Sequence, residues 1–91
     1  MKGLEKSKAL LMEWTLGVVV SHSLGRKTDV TSRCLTELDY ILDNEGAMNV
    51  MVRFFDHLRQ GHGYEATHMK YDTFCEIFPD TAKLLTIFVY S

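Results

Sequence analysis

Residues 81–91 read TAKLLTIFVYS, and the fold class turns on them. The first half suits a helix. Thr86 to Tyr90 is β-branched and aromatic, a composition that packs well on a pleated sheet. As a helix, this segment completes an all-α fold, a compact bundle of four or five short helices. As a strand, it needs a partner, and the valines at 18–20 offer one. The fold would then be α+β, with a small strand pair from residues 18–20 and 86–90. The helical reading is preferred. Short loops elsewhere in the chain favour antiparallel helical neighbours.

Clusters of Gly, Asn, Asp and Pro mark those loops: LGRKTD at 24–29, DNEG at 43–46, GHG at 61–63 and FPD at 78–80. Between them, the first element runs from about Leu4 to Val20. Leu4, Leu11, Trp14 and Val18 follow helical spacing there, and Leu10 and Met12 widen the apolar face. Gly17 and the valines weaken its end. The second starts at Thr28 or Asp29, both good caps. Val30, Cys34, Leu38, Ile41 and Leu42 give it one clean stripe. The third follows Asn44 and is apolar over most of its circumference, so it either sits centrally or leaves a face for a partner. Gly61 is placed to end it. The fourth puts Tyr71, Phe74, Cys75 and Phe78 on one face. Pro79 stops it, and Asp80 can cap the last element.

The chain has 91 residues, which suits one domain over 1–91. It is 46% hydrophobic and 24% charged, too apolar for disorder. A chain this size buries roughly 60–65% of its unfolded surface, which leaves little room for an enclosed active site. Net charge is −2, with +3 on residues 1–27, −4 on 28–45, +1 on 46–70 and −2 on 71–91. No segment has the clustered Lys and Arg that many phosphate contacts require. The run ALLMEWTLGVVV at 9–20 follows three lysines, but Glu5 and Glu13 interrupt a signal-peptide pattern. The run is also too short to span a membrane. Cys34 and Cys75 each fall in an apolar pattern and read as reduced, buried thiols, a disulfide being the alternative. The chain starts with Met and has no linker or tail, so it is expected to be complete, and cytoplasmic.

Residues 56–72, DHLRQGHGYEATHMKYD, hold three of the four histidines. His57, His62 and His68 are spaced by five and six, without the close ligand pairs that zinc sites use. A helix end followed by a polar loop is expected, and no metal or cofactor. Cys75 lies seven residues after His68 but continues the Phe74–Phe78 apolar face, so packing is preferred to nucleophilic chemistry. Ser21-His22-Ser23 has no acid nearby, and GHG lacks the lysine and strand of a phosphate loop. LTELDYILDNEGAMNVMVRFF puts Gly46 in the turn of a helix-turn-helix, but Leu42 and Glu45 fit that motif poorly and its leading helix is acidic.

What remains is apolar surplus rich in Met and aromatics, the residue types of interface cores. The expected function is non-enzymatic: a small protein-binding module, regulator, adaptor or inhibitor of a larger protein, of the kind phages and mobile elements encode. A homodimer is a further expectation. The expected partner surface is Met48, Met51, Arg53, Phe54, Phe55 and Arg59 of the third helix, with Phe88 and Tyr90. Two alternatives stand beside it. One is a nucleic-acid-binding regulator using Asn49, Arg53, Arg59 and the Arg26-Lys27 pair. The other is a small metal-binding protein using His57, His62, His68 and Cys75.

Overall fold

The computed structural model describes residues 2–26, 28–61 and 71–90. Its elements are α1 (Lys2–Ser23), α2 (Asp29–Leu42), α3 (Glu45–Arg59), α4 (residues 71–77) and α5 (Pro79–Tyr90). Among the described residues there is no strand.

The segment 86–90 is therefore helical, and so are the valines at 18–20. The strand-pair alternative falls at both ends. Packing overrides the local preference: Thr81, Ala82 and Leu85 are buried at helical spacing, with Val89 against the same core. Thr86 returns its hydroxyl to the Ala82 carbonyl at 2.8 Å, so it is satisfied within the helix. Gly17 does not break α1 either. That helix runs on to a Schellman-type end, where Gly25 takes φ +84° and Arg26 N–H donates to the Ser21 carbonyl at 3.0 Å.

The other boundaries follow local chemistry. Thr28 accepts from Thr31 N–H at 3.1 Å and Asn44 from Ala47 N–H at 2.9 Å, each capping the helix that follows. Gly46 consequently sits in the first turn of α3, not in the bend of a helix-turn-helix. Gly61, at φ +77°, follows the end of α3. Pro79 both ends α4 and opens α5, where its missing N–H costs nothing.

Asp80 does not cap α5. That role falls to Glu37 of α2, whose carboxylate accepts from Thr81 N–H at 2.8 Å and Asp80 N–H at 3.3 Å. Asp80 pairs instead with Arg33, at 3.1 Å.

Helices α2 and α3 form the centre, and α1 and α5 both lie against them. Leu11, Trp14, Cys34, Leu38, Ile41, Met51, Phe54, Phe55, Leu58 and Leu85 belong to one core. The Phe54 ring meets Tyr71 and Phe74 at 5.6 and 5.3 Å, which brings α4 onto α3. A polar clasp ties the start of α1 to the end of α3. The fully buried Ser7 hydroxyl donates to Asp56 at 2.7 Å and accepts from Arg59 at 2.6 Å. Gln60 donates to the other Asp56 oxygen at 2.6 Å. Neither cysteine is in a disulfide. Cys34 is buried beside Thr81, and burial pushes its thiol up to about 11.

Candidate functional site

Although α1 and α5 rest on the same two helices, their backbones stand apart. No Cα of one comes within 8 Å of the other. Between them runs an open groove of about 630 Å³. Leu10, Trp14, Gly17 and Val18 form one wall; Leu84, Ile87 and Phe88 form the other. Thr31 of α2 lies at its margin, with Glu13, Ser21 and Arg26 as its remaining polar residues.

The walls arise from sequence in a simple way. Trp14 reaches the core, so its α1 neighbours at positions 10, 17 and 18 fall beside the gap. On α5, Ala82 and Leu85 face the core, which turns Ile87 and Phe88 outward. Ile87 is 52% exposed and Phe88 47%. Phe88 is also fixed from below, its ring stacked on Phe55 at 6.2 Å. Gly17 keeps the α1 wall low, because a Cβ built there meets nothing within 4 Å. From Leu10 to Ser21 the wall is three helical turns long, on the order of 16 Å. That length suits a helix laid in the groove better than a compact small molecule.

The residues of the expected partner surface fall in several different settings. Met51, Phe54 and Phe55 are 0–1% exposed and belong to the core, because α3 is surrounded by its neighbours. Arg59 is half-buried, held by Ser7 and lying 6.0 Å over the Phe55 ring. Met48 packs partly against the core. Arg53 is exposed, but on the other flank of α1, in a hollow with Leu4, Glu5, Lys8 and Asn49. Tyr90 is half-exposed and donates to the Leu58 carbonyl at 3.3 Å, tying the end of α5 to α3. Only Phe88 lies in the groove. The α1 wall was missed, although Gly17 within an apolar run was its visible sign.

Among the described residues, the arginines of the nucleic-acid alternative do not gather. Arg26 lies at the groove and Arg53 on the opposite flank of α1, so they do not make one basic stripe. Lys27, His62 and His68 lie outside the described residues. His57 sits at the edge of the core, its ring 5.5 Å from Tyr71.

A further hollow of about 500 Å³ is lined from α2, α3 and α4. Tyr40, Val50, Phe74 and Ile77 line it, and among the described residues no charged one does. It has no wall of comparable length on a single helix. Comparison of the chain with protein families, curated proteins and solved structures finds no match.

Proposed function

We propose that this chain is a non-enzymatic protein-binding module. It holds an amphipathic helix of a larger protein in the groove between α1 and α5, and so regulates, adapts or inhibits that protein. The observation that carries this reading is the groove itself: an α1 wall three turns long, faced by a shorter apolar wall from Leu84 to Phe88 on a helix whose backbone stands apart from it. Trp14 and Phe88 supply rigid aromatic surface, the type that concentrates binding energy. The partner helix would place apolar residues at i, i+3 or i+4, and i+7. Glu13 calls for a basic residue midway along it, and Arg26 for an acidic one near the end.

Gly17→Gln tests this reading without endangering the fold. Its side chain enters open space and favours the helix by roughly 0.5 kcal/mol. The variant is expected to melt slightly higher than the parent yet lose the partner. A photo-crosslinking residue at Ile87, in cells of the source organism, supplies the readout. One protein should crosslink from Ile87, and its yield should collapse in Gly17→Gln. Equal capture with and without Gly17→Gln, or capture from Asp39 on α2 but not from Ile87, would show the groove to be the wrong surface.

A further inference from the structure

A different face of α1 carries a second message. The core takes Ser7, Leu11, Trp14 and Thr15. Turned away from it, Ala9, Met12, Leu16 and Val19 are all exposed. Their spacings are three, four and three, which is the a/d seam of a coiled coil. Leu16, in the middle, is 64% exposed, and Val20 beside it is 47%. None of these residues lines the groove or either of the hollows described above.

With Ala9 and Leu16 at a and Met12 and Val19 at d, Lys8 falls at g and Glu13 at the following e. Both are exposed. In a parallel pair of helices, a residue at g faces the e residue five positions later on the other helix. Lys8 therefore meets Glu13 of a second copy, and by symmetry the pair forms twice. In an antiparallel pair, g faces g and e faces e. With the seam fully overlapped, Glu13 would then meet Glu13 and Lys8 would meet His22, so neither charge would find its opposite.

We propose that the chain forms a symmetric dimer through this face of α1, two copies packing parallel along Ala9, Met12, Leu16 and Val19. The occupant is a second copy because the flanking charges complement each other only across a parallel self-pair. The seam is two heptads long, so the dimer is weak and concentration-dependent. Its seam lies on another side of α1 from the groove walls, and the two surfaces share only Glu13.

Sedimentation velocity over a range of concentrations tests it. The parent chain is expected to shift from monomer to dimer. Leu16→Glu is expected to abolish the shift while its melting curve stays close to the parent's, since Leu16 supports no core contact. Lys8→Glu should weaken the dimer roughly five- to tenfold, and Lys8→Glu with Glu13→Lys should restore most of it. Orientation is read by oxidation: Met12→Cys and Val19→Cys chains should each crosslink to themselves, at 12–12 and 19–19 by peptide mapping. A parent that stays monomeric at its highest soluble concentration overturns the proposal. So does a dimer that survives Leu16→Glu, or crosslinking only when the two cysteine variants are mixed. Gly17→Gln should leave the dimer intact, so loss of the groove's partner and loss of the dimer are read separately.

Discussion

Truncating Phe54 to alanine is expected to lower the unfolding free energy by about 3–5 kcal/mol. The ring is fully buried and meets Tyr71 and Phe74, so its removal empties a site that two aromatic neighbours cannot easily close. A domain of this size has only about 5–15 kcal/mol in hand. Urea unfolding checks it: the midpoint should fall far while the slope with denaturant stays unchanged. This outcome also decides between two readings of α3. If Phe54 were a contact for a partner, alanine would cost binding and spare stability. An unfolding midpoint within error of the parent would therefore remove Phe54 from the core.

The next largest effect is expected at Glu37. Pro79 has no N–H, and the following two amides of α5 donate to this one carboxylate on α2. Alanine leaves both donors without their acceptor and removes a negative charge from the positive end of the helix. Together these should cost about 2 kcal/mol. At 4–8 °C per kcal/mol, the melting temperature should fall by roughly 10 °C. Glutamine keeps an acceptor oxygen but not the charge, and should cost about half as much. Asp80 cannot take over, because its carboxylate is engaged with Arg33. Amide hydrogen exchange should quicken first in α5, ahead of α3. Unchanged melting of both variants would mean that the cap contributes nothing.

Glu37 also shows where sequence reasoning stops. The caps at Thr28 and Asn44 and the glycine at 61 act on neighbours within a few residues, and their chemistry is visible in the sequence. The cap of α5 comes from more than forty residues away. Local pattern pointed to Asp80, the nearest acid, because it could not see α2. The stripe of α2 was legible at Cys34, Leu38 and Ile41, which are buried, whereas Leu42, expected in the same stripe, is exposed.

Helices α1 and α3 defeated the same test in opposite ways. Apolar residues surround α3, and periodicity alone could not say that neighbours occupy every side of Met51, Phe54 and Phe55. On α1, two stripes overlap. Met12 reads as a widening of the core face, yet it belongs with Leu16 and Val19 on the far side. The groove was less legible still, since it depends on α1 and α5 standing apart. Within the sequence, only Phe88 and Gly17 in its apolar run pointed to it.

The identity of α5 as a helix carries a hazard. Leu84 to Tyr90 contains no charge, glycine or proline, a composition suited to cross-β stacking. While the helix stands, its own turns occupy these backbone amides, and Glu37 and the Tyr90 hydroxyl pin its two ends. Once the helix lets go, the same seven residues become a free edge that can recruit copies of itself. Heating Glu37→Ala past its transition should therefore yield thioflavin-positive deposits faster than heating the parent. If both recover fully on cooling, the segment is harmless. Otherwise the Glu37 carboxylate keeps an amyloid-forming stretch folded away.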